Sequence, residues 1–129
     1  MVKVFAEKKY LIVDDMKVVR RSIIGSFKKL GIDEENIYQA GNGKEAIDVL
    51  EKHVVDMIVT DLNMPEMDGF EFLEFCKSSE KFKDIPIVIL TSESDQQNTI
   101  KIMDLGIRDY MIKPFQSEKF MKLLMNYFS

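Results

Sequence analysis

Five apolar runs, each too short to form a helix, recur along the chain and alternate with amphipathic stretches. They are Tyr10-Leu11-Ile12-Val13, Asn36-Ile37-Tyr38-Gln39-Ala40, Met57-Ile58-Val59-Thr60, Ile87-Val88-Ile89-Leu90 and Tyr110-Met111-Ile112. Most are rich in β-branched residues, as buried strands are. The segments between them have helical spacing, as in Val18, Ile23, Phe27 and Leu30, or Ala46, Ile47 and Leu50. Five βα units follow, and strict alternation implies a parallel sheet with right-handed crossovers and helices on both faces. Leu30-Gly31 and Leu105-Gly106 are placed to close two helices, and Asp68-Gly69 to open the segment carrying Phe70, Leu73 and Cys76.

At 129 residues the chain has room for one domain, and without linker-like or low-complexity tracts that domain is expected to span 1–129. A content of 46% hydrophobic and 31% charged residues excludes a disordered tail. The net charge of −4 has the wrong sign for holding nucleic acid by bulk charge. Cys76 is the one cysteine, which excludes an internal disulfide framework and a multi-cysteine zinc site and reads as a small core residue. No apolar run approaches the roughly 20 residues needed to cross a bilayer, and no signal-peptide stretch is evident. A soluble, cytoplasmic protein is expected.

In an open parallel α/β sheet, ligands bind outside the carboxyl ends of the strands. The residues following the runs are therefore the place to look for chemistry. Asp14 and Asp15 follow the first, Asp61 the third, Thr91 and Ser92 the fourth, and Lys113-Pro114 the fifth. Any one acid or hydroxyl there could simply cap the next helix. Together they ask for more, because three converging carboxylates raise one another's pKa unless a cation neutralises them. A set of hard oxygen ligands points to Mg²⁺, which commonly takes a phosphate oxygen as a further ligand. Lys113 would then serve as a point charge for the phosphate and Thr91 as a hydroxyl donor.

A P-loop does not supply that phosphate. At Gly43-Lys44 the pattern needs a glycine five residues earlier and Ser or Thr directly after, where Tyr38 and Glu45 stand. A covalent phosphoryl group on a carboxylate is the better reading, with Asp61 as the candidate nucleophile. Gly41-Asn42-Gly43-Lys44-Glu45-Ala46 formally satisfies the loose dinucleotide-binding fingerprint. That rival leaves Asp14, Asp15, Thr91 and Lys113 unexplained and lacks a second mononucleotide half.

Asp14-Asp15, the Asp61-Leu62-Asn63-Met64-Pro65 segment followed by Asp68-Gly69, Thr91-Ser92 and Lys113-Pro114-Phe115 together resemble the receiver domain of two-component response regulators. The resemblance covers essentially the whole chain and is greatest to the single-domain chemotaxis members. It implies a flavodoxin-like (βα)5 fold with strand order 2-1-3-4-5. It further implies that Asp61 accepts a phosphoryl group from a histidine kinase. Mg²⁺ would be held by Asp15, Asp61 and the Asn63 backbone carbonyl, with Asp14 helping through a water.

Lys113 and Thr91 would stabilise the transferring group, and the Lys113-Pro114 bond would be cis. Thr91 and Tyr110 would form the switch, acting on a surface made by Ser94 to Leu105, the fifth strand and Gln116 to Tyr127. Asn63 and Glu93 would tune dephosphorylation toward a short phosphoryl lifetime. The resemblance implies a signalling domain rather than an enzyme, assisting its own phosphorylation and dephosphorylation. It would be monomeric, with a flagellar motor switch component as output partner and a phosphatase as a further one. A phosphorelay intermediate, or a receiver of another two-component pathway, is the alternative, although a start at Met1 and an end within the fifth helix favour a free-standing protein.

Two features depart from the family pattern: the segment Met1 to Lys8 is long, and Ser92 stands where a smaller residue is commoner. His53 reads as solvated or capping, the nine methionines mostly as core filler, and Lys28-Lys29 as solvated charge.

Overall fold

The computed structural model describes residues 4–62, 69–92 and 99–128. Five strands, β1 (Tyr10–Val13), β2 (Ile37–Ala40), β3 (Met57–Asp61), β4 (Ile87–Thr91) and β5 (Asp109–Ile112), alternate with α1 (Lys17–Lys29), α2 (Gly43–Lys52), α3 (Gly69–Ser78), α4 (Thr99–Asp104) and α5 (Ser117–Tyr127). All neighbouring strands are parallel, in the order β2-β1-β3-β4-β5. This is the flavodoxin-like architecture that the resemblance implied.

The sheet divides its side chains by the two-residue period of a strand. Tyr10, Ile12, Met57, Val59, Val88, Leu90 and Met111 pack with Ile23, Ile24 and Phe27 of α1 and Phe120 and Leu124 of α5. Their neighbours Leu11, Val13, Ile58, Ile87 and Ile89 pack with Ala46 and Leu50 of α2, Phe72, Leu73 and Cys76 of α3, and Ile102 of α4. Strands β1, β3 and β4 are covered on both faces and fully buried. The edge strand β5 is covered less, and Tyr110 remains 46% exposed.

Two helices end as their glycines predict. After α1, Gly31 takes φ +96° and donates its amide to the Lys28 carbonyl, while Ile32 donates to Phe27. After α4, Gly106 takes φ +85° and donates to Met103, while Ile107 donates to Ile102. Both are left-handed terminations that satisfy orphan carbonyls and tuck an isoleucine back onto the helix. The helix-opening role read for Asp68 lies outside the described residues.

Several sequence readings need correction. Asn36 belongs to a 3-10 turn (Glu34–Asn36) rather than to β2. Its side chain accepts from the Lys9 ammonium and donates to the Ala6 carbonyl, so it ties β2 to the N-terminal segment rather than pairing in the sheet. Asp61 and Thr91 are the last residues of their strands, not the first beyond them. Val18, which the helical spacing placed on the core face of α1, is 75% exposed. Methionine as core filler holds for Met57 and Met111, but Met16, Met103 and Met125 are exposed.

The long N-terminal segment has a structural use. Residues Val4–Glu7 form a 3-10 turn that buries Phe5 completely among the α1–α5 core side chains. The Tyr10 hydroxyl donates to the Phe5 carbonyl at 2.6 Å. Burial pushes that hydroxyl's pKa well above its ordinary value, with the Asp56 charge adding to the effect. Removing a fully buried phenyl group leaves a cavity as well as losing its transfer free energy. Phe5→Ala is expected to cost about 3 kcal/mol in urea unfolding at unchanged m-value. A loss below about 0.5 kcal/mol would show the segment to be passive.

Candidate functional site

The alternation that builds the core also assembles the site. Ile12, Val59 and Met111 face the α1–α5 layer, and two residues further along each path stand Asp14, Asp61 and Lys113. Register holds them level, since Val13 pairs with Thr60 and Thr91 with Ile112. The Lys113 amide donates to the Thr91 carbonyl at 2.7 Å, which extends the β4–β5 pairing by one step. The Lys113-Pro114 peptide is cis, as the resemblance implied.

Carboxylate oxygens of Asp14, Asp15 and Asp61 lie within 4.8 Å of one another. Asp14 and Asp61 are buried and Asp15 is exposed, so the cluster has an open side. The Lys113 ammonium donates to Asp61 Oδ2 at 3.0 Å and stands 3.7 Å from Asp14 Oδ2. Asp14 Oδ1 accepts the Met16 amide at 2.9 Å, but Oδ2 accepts no hydrogen bond from the described residues. Burial raises the Asp14 pKa, and the Asp61 and Asp15 charges add to the rise against the Met16 amide and Lys113. Partial burial alone would lower the Lys113 pKa, but its hydrogen bond to Asp61 and the three carboxylate charges outweigh it, leaving it raised.

One lysine for three carboxylates is an under-neutralised site. A buried oxygen without a hydrogen bond, an open side and a purely oxygen donor set fit a divalent hard cation, Mg²⁺ foremost. Asp14, Asp15 and Asp61 could hold it. The Asn63 carbonyl, also assigned as a ligand, lies outside the described residues, as does Glu93.

Thr91 is buried at the end of β4, on the opposite parity from Leu90 and next along the strand from the partner of Asp61. Its hydroxyl donates to the Ser92 carbonyl at 3.3 Å, a long bond that is readily exchanged for another acceptor. Tyr110 lies with its ring partly in solvent on β5. The structure thus brings together Asp14, Asp15, Asp61 and Lys113, with Thr91 at the flank.

Arg20 is a site-adjacent residue that the sequence does not single out. Its guanidinium donates to the Asp14 carbonyl at 2.6 Å and to the Gln39 side chain at 3.1 Å. It fixes the loop that carries the acid pair, a role set by tertiary contact that no local pattern announces. The dinucleotide-like glycine segment has another explanation. Glu45 accepts the Gly41 amide at 3.1 Å, and Asn42 accepts the Glu45 amide at 2.9 Å as the N-cap of α2. This reciprocal cap uses amides that a pyrophosphate would need.

A parallel 2-1-3-4-5 sheet with an acid cluster and a lysine at its carboxyl edge defines a class, and residues 10–125 match the response regulator receiver domain. The chain belongs to this family of signalling domains, which bind Mg²⁺ at an acidic site. Its relatives include the "Chemotaxis protein CheY homolog" of Campylobacter jejuni, 37% identical over 108 residues that cover 83% of this chain and 82% of the relative. "Chemotaxis protein CheY1" of Helicobacter pylori is 35% identical over 108 residues, covering 83% and 86% of the two chains. The structure of the chemotaxis response regulator CheY4 of Vibrio cholerae superposes with a TM-score of 0.80 at 30% identity, covering 93% of this chain and 98% of that one.

A raised carboxyl pKa means that the fold prefers Asp14 protonated. Its contribution favours folding below the ordinary value of 3.8 and is lost as pH rises through the higher folded-state value. In Mg²⁺-free buffer at pH 7, Asp14→Asn is expected to raise stability by roughly 1 kcal/mol, about 3 °C in melting temperature. The gain should shrink toward zero on acidification to pH 3, as calorimetry across that range would show. A pH-independent difference would argue against charge burial as its cause.

Proposed function

We propose that Asp61 is the phosphoacceptor of a two-component pathway and that the domain is an Mg²⁺-dependent phosphorylation switch. The observation that carries this reading is the Asp61 carboxylate, buried at the sheet edge, grouped with Asp14 and Asp15, and hydrogen-bonded to Lys113 at 3.0 Å. The donor is a histidine kinase. An Asp61 oxygen attacks the phosphorus of the kinase phosphohistidine, the P–N bond breaks, and the imidazole leaves with its electron pair and takes a proton. Negative charge then spreads over the three equatorial phosphoryl oxygens.

Lys113 already sits against Asp61 and can transfer its hydrogen bond to a phosphoryl oxygen. Asp15, Asp61 and the Asn63 carbonyl would hold Mg²⁺, with Asp14 helping through a water, and the ion would supply further charge stabilisation there. Thr91 contributes its hydroxyl by turning from the Ser92 carbonyl to the phosphoryl group. Hydrolysis returns the carboxylate, and Asn63 and Glu93 position the attacking water.

The readout follows from what Thr91 leaves behind. Its movement opens space beside β5, into which the half-exposed Tyr110 can turn, reshaping the face of α4, β5 and α5. Ile100, Met103, Tyr110, Ile112 and Met125 are exposed on these elements, an apolar content that suits a protein partner. The chemotaxis relatives support a flagellar motor switch component in that role; the acting form in this reading is a cytoplasmic monomer, with a phosphatase as a further partner. Among the described residues no helix is long and apolar enough to cross a membrane.

Labelling with acetyl phosphate or a phosphorylated kinase in Mg²⁺ should proceed in wild type and disappear in Asp61→Ala. Retained labelling in that variant would overturn the assignment. Thr91→Ala is expected to accept the phosphoryl group yet show the same partner affinity with and without it, read by titration calorimetry. A wild-type-sized gain in affinity would remove Thr91 from the switch. The phosphorylated wild type should lose its label in seconds to minutes, and survival for hours in Mg²⁺ would refute the roles given to Asn63 and Glu93.

A further inference from the structure

The end of α5 meets the start of β5 in a contact that the stability of neither element explains. The Tyr127 hydroxyl donates to Asp109 Oδ2. Tyr127 is the last helical residue of α5, and Asp109 is the first residue of β5. A helix C-terminus carries partial negative charge and favours cations, yet the last turn of α5 has no basic residue and an aspartate is set against it. No salt bridge neutralises Asp109 among the described residues. The phenol proton offsets the carboxylate instead. Burial, together with the hydrogen bond to Asp109 and its charge, pushes the Tyr127 pKa up to about 12, so the hydroxyl remains a donor at neutral pH.

Position gives the pair its leverage. Along β5, Met111 has the parity of Asp109 and is buried in the α1–α5 layer, whereas Tyr110 has the other parity and is 46% exposed. β5 is an edge strand paired with β4 alone, Asp109 standing opposite Val88 and Tyr110 opposite Ile89. A second anchor at Asp109 therefore fixes the backbone from which the Tyr110 ring turns. The end of α5 has other attachments, since Phe128 meets Tyr10 edge-on at 6.3 Å and the Lys8 ammonium lies 5.5 Å from the Phe128 ring centre. Loss of the hydrogen bond thus unties β5 rather than α5.

We infer that Asp109 and Tyr127 are positioning residues, a latch that holds β5 and Tyr110 in the resting arrangement. The inference rests on the reading of Thr91 and Tyr110 as the switch, and adds to it a restraint outside the acid cluster. An interaction made in the resting arrangement and given up in the switched one biases the equilibrium between them. By linkage it also weakens binding of any group that favours the switched arrangement, a phosphoryl group included. The latch limits how much of the switched form exists before phosphorylation.

The test uses the full chain with its four tyrosines ring-labelled with ¹³C, observed by NMR at pH 7 without and with beryllofluoride and Mg²⁺ as the phosphoryl mimic. In wild type the Tyr110 signal should move on saturation with the mimic. In Tyr127→Phe and in Asp109→Ala it should lie partway to the saturated position before any mimic is added, and the beryllofluoride dissociation constant should fall about fivefold. The double variant should go no further than either single one. Tyr10, which would report a loosened α5 through Phe128, and Tyr38, on the far edge strand, should keep their wild-type signals. An unchanged Tyr110 signal and dissociation constant in either variant, a displaced Tyr10 signal, or additive effects in the double variant would overturn the latch and leave the switch standing. A wild-type Tyr110 signal that does not respond to beryllofluoride would refute the switch itself, and the latch with it.

Discussion

A single ammonium group holds the carboxyl edge of this sheet together. Lys113 reaches from beyond β5 to Asp61 on β3, passes close to Asp14 beyond β1, and anchors its own amide on β4. Without it, two buried carboxylates would face each other across an edge that main-chain pairing alone brings together. Its charge is nevertheless insufficient for three acids, which keeps Asp14 biased toward protonation and leaves the cluster ready for a divalent cation. Stability and cation readiness are opposed at this edge: the electrostatic tension that weakens the fold is what suits the cluster to a divalent cation.

Much of this is legible in the sequence because a parallel strand buried on both faces writes itself as a short β-branched run. Strands β1, β3 and β4 are of that kind, and their apolar runs match the observed strands almost to the residue. The edge strands are less clear. Asn36 resembles part of β2 because it adjoins apolar residues, but its amide is engaged by Lys9 and Ala6 across the chain, which no local pattern records. Val18 lies nine residues before Phe27, about half a revolution away around α1, and Val19 takes the core-facing register instead.

The acids and Lys113 are legible for a different reason: each lies at or just beyond a strand end, and topology delivers all strand ends to one edge. Their pairing is not, since the distances depend on register. Arg20 and the Asn42–Glu45 cap show two ways in which polar residues mislead a linear reading. Arg20 has the sequence context of ordinary surface charge and supports the acid loop, whereas the Asn42–Glu45 segment imitates a ligand cradle and is helix punctuation. His53, read as solvated or capping, is exposed, caps α2 and stacks on Tyr38 at 4.5 Å. Cys76 is buried in the core with its thiol pKa pushed up to about 12 by burial, which makes it inert as a nucleophile.

The aromatic side chains under the α1–α5 layer form one connected series. Tyr10, bonded to the Phe5 carbonyl, meets Phe27 at 5.4 Å, and Phe27 meets both Phe120 at 4.8 Å and Phe115 at 5.9 Å. Phe115 lies two residues beyond Lys113. Close-packed rings resist compression and pass displacement along rather than absorbing it. The N-terminal turn at one end of the sheet and the chain just past Lys113 at the other are therefore joined by continuous ring packing, so sealing the one and holding Phe115 at the other draw on the same layer of contacts.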